Sequence, residues 1–158
     1  HPHNAPDTVY VQLERTIDMA LKASEIKVGD SYEEEVCRDL SRTQIVQYAG
    51  TSGDYNPLHS DEKYTTEIAK YPSVFAHGML SMGMTGRMLT NYVGDGRLRS
   101  FGVRFTSQVF PGATLTAKAT ISAIRDEDGR SIADIDVSTV DAEGTVVVKG
   151  QATALLDS

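Results

Sequence analysis

The longest helix that the sequence predicts covers residues 78–92 and reads GMLSMGMTGRMLTNY. Apolar residues occupy most of its circumference, a pattern typical of a helix buried inside a domain. Gly83 and Gly86 each cost about 1 kcal/mol relative to alanine within a helix. We interpret these glycines as places where a sheet approaches the helix closely, and we interpret the methionines as core residues.

Alternating apolar and polar residues follow this helix and predict antiparallel strands. The alternation covers residues 101–105 and 114–123, with hairpin turns at 126–129 and 141–144. A buried helix followed by long strands predicts an α+β domain of the hot-dog kind, in which a curved antiparallel sheet wraps around the helix. Such a sheet has an edge strand that needs cover, and we therefore expect a dimer.

Shorter elements are predicted ahead of the central helix. Residues 32–36 suit a partly exposed strand. Ser41 and Gln44 form a capping-box pattern that starts a helix, which ends at the glycines of 50–53. Another short helix is expected over 60–71, where a proline follows.

Length, charge and cysteine content predict one soluble domain. The chain has 158 residues, and its net charge of −7 argues against a broad nucleic-acid surface. No segment has the length and apolarity of a membrane span. Cys37 is the single cysteine, so no internal disulfide is possible and a reducing, cytoplasmic setting is predicted. Residues 1–18 suggest a tag or N-terminal extension, with a short helix over 9–21 as the alternative, and residues 19–158 suggest the domain.

Two titratable residues lie close together in the segment SGDYNPLH, residues 52–59. Asp54 and His59 are five positions apart on a backbone broken by a glycine and a proline, and such a pair can divide acid and base roles. Asn56 between them can hydrogen-bond a carboxylate or the backbone. For Asp54 alone an ordinary tight turn is the simpler interpretation, but the whole octapeptide ending in histidine favours a catalytic site.

A second segment, FAHGM at 75–79, places a glycine at the start of the central helix. The Gly78 amide would point an unpaired N–H outward at the positive end of the helix dipole. An oxyanion such as a developing thioester enolate needs such a donor. We interpret His77 as a packed core histidine, which is the commoner role.

The segment YAGTSGDYNPLH, from Tyr48 to His59, resembles the hydratase motif of the MaoC-like dehydratase family, which includes the (R)-specific enoyl-CoA hydratases. AHGML at 76–80 is similar to the second signature of that family, and VRFT at 103–106 is similar to one of its strands. The resemblance covers residues 24–156, and within the family the chain is most similar to the catalytic subunits of mycobacterial (3R)-hydroxyacyl-ACP dehydratases. It implies reversible hydration of a trans-2-enoyl thioester of CoA or ACP to the (R)-3-hydroxyacyl thioester, without cofactor or metal.

The same resemblance implies roles for individual residues. Asp54 and His59 become the catalytic pair that holds a water: one removes its proton during attack on C3, and the other protonates C2 on the same face. Which residue is the acid and which the base stays open. The Gly78 amide would bind the thioester oxygen, and Asn56 would support the loop. The chain departs from some relatives in having Gly86 where they have a serine.

Arginines provide a weaker signal. Arg97, Arg99 and Arg104 occur in a stretch almost without acids, and they could contact the phosphates of CoA or the acidic face of an acyl carrier protein. A solvated loop with scattered arginines is an equal alternative. Asp54, His59, Asp61 and His77 could suggest a metal site, but none is predicted, because the chain has no compact ligand repeat such as His-Glu-x-x-His.

Two other functions are compatible with a hot-dog domain. An acyl thioesterase would release free thiol from a saturated acyl-CoA, but the spacing of Asp54 and His59 speaks against it. A non-catalytic, acyl-binding subunit of a heteromeric dehydratase would not need both residues. We expect the protein partner to be a second copy or a related hot-dog subunit, with no nucleic acid and no membrane. Acyl chain, carrier and physiological direction are not determined by the sequence.

Overall fold

The computed structural model describes residues 20–158. The predicted extension over 1–18 lies outside the described residues, as does nearly all of the alternative helix. The described part of the chain contains strands β1 Ser31–Cys37, β2 Leu98–Phe105, β3 Leu115–Glu127, β4 Arg130–Val140 and β5 Val146–Leu155, and the helices α1 Arg42–Ser52 and α2 Gly78–Val93. Within it, no helix combines the length and apolarity that crossing a bilayer requires.

The strands form one antiparallel sheet in the order β1-β3-β4-β5-β2. The face that packs against α2 carries small and branched apolar side chains, which are buried; they include Ala117, Ala119, Ile121, Ile135, Val148 and Ala152. Alanines on the long strands leave room for the helix to lie close to the sheet. The predicted α+β hot-dog architecture is confirmed, and β1 and β2 are its edges.

The turn predicted at 126–129 is confirmed as the β3–β4 connection. Asp128 and Gly129 both have positive φ, at 53° and 75°. Two successive left-handed residues match the right-handed twist of the flanking strands, which is why this type of turn joins them directly. The two longest strands are therefore held in register by a local sequence signal.

The central helix is buried on one side only. Its buried residues are Ser81, Thr85, Met88, Leu89, Tyr92 and Val93, whereas Met79 is 55% exposed. The prediction of a helix buried all round was therefore wrong, because the described sheet covers α2 from one direction. The interpretation of Gly83 was also wrong, since nothing lies within 4 Å of a side chain built there, but Gly86 does face the ring of Phe101 on β2.

The capping box that starts α1 is confirmed. The Ser41 hydroxyl accepts from the Gln44 N–H at 3.1 Å, and the Gln44 side chain accepts from the Ser41 N–H at 2.9 Å. The predicted helix over 60–71 is reduced to an irregular π-helical turn at Tyr64–Ile68. Lys70, at φ 64°, turns the chain out of helical geometry before the proline.

Candidate active site

A helix end positions the predicted acid. Gly53 adopts the left-handed conformation, with φ 76°, and its N–H bonds to the Ala49 carbonyl, so that it ends α1 and redirects the chain. The following Asp54 is exposed. One oxygen of its carboxylate accepts from the Asn56 N–H at 3.2 Å. The tight-turn interpretation of this residue therefore holds as well, and the other carboxylate oxygen is available to a ligand.

Asn56 organises the next turn. Its side-chain oxygen accepts from the Leu58 N–H at 3.0 Å and caps the 3₁₀ turn Pro57–His59. Pro57 at the first position of this turn needs no N–H acceptor. The turn directs His59 inward, where the side chain is buried. Asn56 is thus placed to support the loop in the way the sequence predicts.

A backbone carbonyl sets the tautomer of His59. Its Nδ1 lies 2.6 Å from the Phe75 carbonyl oxygen. A carbonyl only accepts, so Nδ1 carries the hydrogen and Nε2 of the neutral ring has a free lone pair. Phe75 returns an N–H to the Leu58 carbonyl at 3.2 Å. The loop holding the acid–imidazole pair is therefore tied to the segment that leads into α2.

His77 makes the second connection between these segments. Its Nε2 donates to the Asp54 carbonyl oxygen at 3.0 Å, and its ring stacks on His59 with centroids 3.7 Å apart and planes 24° apart. Tyr48 closes the other side of the ring, edge-on at 4.8 Å. The side chain is 2% exposed, as expected of a core histidine. The sequence interpretation missed its contact with the catalytic candidates.

The groups that could act together converge here. One carboxylate oxygen of Asp54 and one ring nitrogen each of His59 and His77 lie within 4.8 Å of one another. A water bonded to two groups at about 2.8 Å spans roughly 4.6 Å at a tetrahedral angle, so one water can bridge a pair of them. The same three side chains form a possible metal-ligand group. All three are among the residues that the sequence offers as metal ligands by type, but the histidines come from separate loops and form no compact ligand repeat.

The Gly78 amide opens α2 beside this group. Within residues 20–158 no acceptor takes its N–H, as expected for the first residue of a helix. A side chain at this position would meet the ring of Phe105 at 2.9 Å. A cavity of about 240 Å³ adjoins it and is also lined by Phe75, Phe105 and Thr106. The site therefore offers an acid, an imidazole, an unpaired N–H donor and a cavity beside the donor.

Other predicted residues are engaged elsewhere. Arg97 forms an ion pair with Asp157 at 2.7 Å, and Arg99 forms one with Glu127 at 3.6 Å. Arg104 has no carboxylate partner in the described part of the chain and lies on the face of β2 opposite Phe105. The three arginines therefore do not form one cluster.

Cys37 is not part of this site. Burial raises the pKa of its thiol, and the nearby Glu35 and Asp39 carboxylates act in the same direction against Arg87. A thiol with a raised pKa and a buried side chain is a poor nucleophile at neutral pH. It therefore offers no covalent route for thioester hydrolysis.

Fold and site together define a hot-dog domain with an acid–imidazole pair beside a helix N-terminus. A family model described as a MaoC-like domain matches residues 21–143, and the chain belongs to the MaoC-like dehydratase family. The resemblance stated from the motifs is thereby confirmed at the level of the family. The relation to mycobacterial ACP dehydratase subunits in particular stays a prediction.

Relatives within this family are named as hydratases and dehydratases. The chain is 40% identical over 101 residues to 3-hydroxyacyl-thioester dehydratase Y of Mycobacterium tuberculosis, covering 61% of this chain and 33% of that protein. It is 31% identical over 134 residues to the (R)-specific enoyl-CoA hydratase of Rhodospirillum rubrum, covering 84% and 89%. The chain spans a third or less of the length of several curated relatives that it matches.

A solved structure has the same fold. The (R)-hydratase from A. caviae involved in PHA biosynthesis superposes with a TM-score of 0.74 at 26% identity, covering 85% of this chain and 99% of that one. The match extends over nearly the whole of that enzyme. The architecture described above is thus shared with that (R)-hydratase.

Proposed function

We propose that this protein reversibly hydrates trans-2-enoyl thioesters to (R)-3-hydroxyacyl thioesters, as a hydro-lyase of acyl-chain metabolism. The observation that carries the proposal is the convergence of Asp54 and His59 beside the free N–H of Gly78. Asp54 brings a carboxyl group and His59 an imidazole whose Nε2 makes no hydrogen bond within the described residues. One of the two can act as the base on a bound water while the other, protonated, acts as the acid. The names of the relatives agree with this chemistry.

The reaction needs no group beyond these residues and water. The water oxygen forms a bond to C3 as one member of the pair takes its proton, and the double-bond electrons move to the thioester carbonyl. The Gly78 N–H, at the positive end of the α2 dipole, stabilises the resulting enolate oxygen. Collapse of the enolate takes a proton at C2 from the other member, which is in its protonated form at the start of the turnover. The proton taken from water leaves the pair with the same total number of protons. Both transfers are expected on one face of the substrate, because Asp54 and His59 converge at one place.

The test is the loss of enoyl-thioester absorbance with crotonyl-CoA and a longer homologue. Asp54→Asn and His59→Ala should each lower kcat by about 10² to 10⁴-fold, the range for a general acid or base. Asn91→Ala, which changes a polar side chain far along α2, serves as the control and should retain activity. If activity survived both substitutions, the assignment of Asp54 and His59 as the catalytic pair would be wrong.

The same assay separates the alternative functions. A thioesterase would release free thiol from saturated butyryl-CoA, which a thiol reagent detects. A non-catalytic subunit would show no turnover until a second hot-dog subunit is added. The possible metal-ligand group is tested by chelation, and we expect full activity after dialysis against EDTA because the proposed mechanism has no metal step.

We further propose that the protein is a dimer, formed through the β2 edge with a second copy or a related subunit. The β1 edge carries the acidic run Glu33–Glu35, and charged edge strands resist pairing. The β2 edge has no such run, and Phe105 at its end is 50% exposed. Tyr55 and Met79, which follow Asp54 and Gly78 in the chain, are 71% and 55% exposed, so a partner that covers these apolar side chains would lie next to the site.

We also propose a cytoplasmic location, which is supported by the single, buried Cys37. A thiol protein without disulfides suits a reducing compartment. Fractionation of the native host with an antibody to the protein is the direct measurement.

A further inference from the structure

A groove of about 790 Å³ lies on the outer face of the sheet, away from α2. Gly102, on the outer face of β2, contributes no side chain, and nothing lies within 4 Å of where one would begin. Gly150 on β5 lets the two strands approach, since a side chain there would collide with the Gly102 backbone. The absence of a side chain at Gly102 thus leaves this part of the groove open.

Polar side chains cross this groove in one line. Register places Lys118, Ser138, Lys149 and Arg104 directly beside one another on β3, β4, β5 and β2, and all four line the groove. Neighbouring strands are about 4.8 Å apart, so the row spans about 15 Å. A row of three cations and one hydroxyl is better suited to bind an extended anion than a small anion such as a single phosphate.

The charges in this row are only partly balanced. Lys118 pairs with Glu33 at 3.2 Å, but Lys149 and Arg104 have no carboxylate partner among the described residues. Like charges directly opposite each other on paired strands destabilise a sheet. Asp136 also lines the groove, one register position away beside Gln151. An anion between Lys149 and Arg104 would turn their repulsion into attraction, in a protein whose net charge is −7.

The groove shares a lining residue with the cavity beside Gly78. Thr106, which follows the end of β2, lines both the groove and the cavity beside Gly78. Phe105 faces Gly78 on one side of the strand, and Arg104 faces the groove on the other. A thioester held at Gly78 could therefore direct its thiol carrier around the end of β2 onto the outer face.

We propose that this groove binds the phosphates of coenzyme A, with Arg104 and Lys149 as the principal contacts and Ser138 and Lys118 beside them. The proposal rests on the enoyl-thioester function and names the carrier for it. CoA has a diphosphate and a separate ribose phosphate, which suit a row of cations. A recessed groove admits a nucleotide more readily than the convex acidic surface of a carrier protein.

The experiment compares crotonyl-CoA with crotonyl-pantetheine, which has the same reacting group and no phosphate. The double variant Arg104→Gln/Lys149→Gln should raise KM for crotonyl-CoA at least about tenfold and leave kcat within about twofold, because it removes binding that is equal in ground and transition states. Its kinetics with crotonyl-pantetheine should match the wild type. The control Lys27→Gln/Arg130→Gln removes the same charge at exposed positions elsewhere and should leave KM unchanged.

Several results would overturn the proposal. If the control variant raised KM for crotonyl-CoA as much as the double variant does, the effect would come from overall charge and not from the groove. If the double variant raised KM for crotonyl-pantetheine as much as for crotonyl-CoA, the defect would lie at the reacting end of the substrate. A larger loss with a crotonyl carrier-protein substrate than with crotonyl-CoA would assign the groove to the carrier protein.

Calorimetric titration with free CoA separates this proposal from the enzymatic one. Tight binding by wild type that weakens at least about tenfold in the double variant supports the groove even if no hydration is found. If the wild type hydrates crotonyl-CoA but the double variant binds free CoA as tightly as the wild type, the groove proposal is wrong and the hydratase proposal stands.

Discussion

His77 joins two loops through contacts that only the folded chain creates. It donates to the carbonyl of Asp54, which is 23 positions away, and its ring supports His59. Both contacts act on groups that the proposed reaction uses. His77 itself is a positioning residue, since its hydrogen bond goes to the backbone of the acid and not to a reacting atom.

Substitution of His77 tests this positioning role. His77→Ala removes the donor from the Asp54 carbonyl, which costs about 1 kcal/mol, and we expect kcat to fall at least tenfold because Asp54 loses its anchor. His77→Gln can still donate an N–H from nearly the same place and should recover much of kcat. Steady-state kinetics across pH measure both variants. Equal losses of kcat in the two variants, matched by equal losses in melting temperature, would indicate packing alone.

For the individual site residues, the sequence predicted which residue types are present but not which of them contact one another. Asp54, Asn56 and His59 lie within one short loop, so local spacing was enough to group them. His77 was predicted to be buried, which is confirmed. Its contact with Asp54 depends on how the α2 entry segment crosses the loop after α1, and no local pattern encodes that crossing.

Two glycines of α2 provide a matched test at the level of the element. Gly78→Ala places a methyl group 2.9 Å from the Phe105 ring, so the helix start or the ring must move. We expect kcat/KM for crotonyl-CoA to fall at least tenfold, since the N–H that faces the proposed enolate moves with the helix. Gly83→Ala is the control: it meets no atom within 4 Å and should stabilise the protein by about 0.5–1 kcal/mol with normal activity.

Denaturant unfolding and steady-state kinetics of the two variants decide this test. Full activity in Gly78→Ala would separate the Gly78 amide from catalysis. A destabilised Gly83→Ala would mean that this position is covered in solution, which is the outcome expected only if a partner lies against α2.

Elements were predictable where capping or alternation is local. Ser41 and Gln44 marked the start of α1, and residue 78 was correctly placed as the start of α2. The exposed side of α2 was only partly predictable, because Met79 and Gly83 lie on it beside Arg87 and Asn91, and methionine and glycine also occur in cores. Burial depends on what lies opposite, which the helix sequence does not contain.

The two edges of the sheet differ in charge, and the dimer proposal predicts that β2 is paired with a partner and β1 is not. We expect light scattering to report twice the 17.2 kDa chain mass. Amides on the outward side of β2 should exchange slowly, with protection that falls on dilution, whereas β1 should exchange freely because its acidic run opposes pairing. A monomer at all concentrations, or protection of β1 in place of β2, would contradict this arrangement.

Sequence alone determined the family and most of the order of elements, and it predicted the acid–imidazole pair, because each depends on spacing along a short segment. Tertiary structure decided which residues meet: His77 with Asp54, Gly78 with Phe105, and Lys149 with Arg104. These pairs come from elements far apart in the chain. Their proximity follows from strand order and from the way α2 crosses the sheet, and both are properties of the packed domain as a whole.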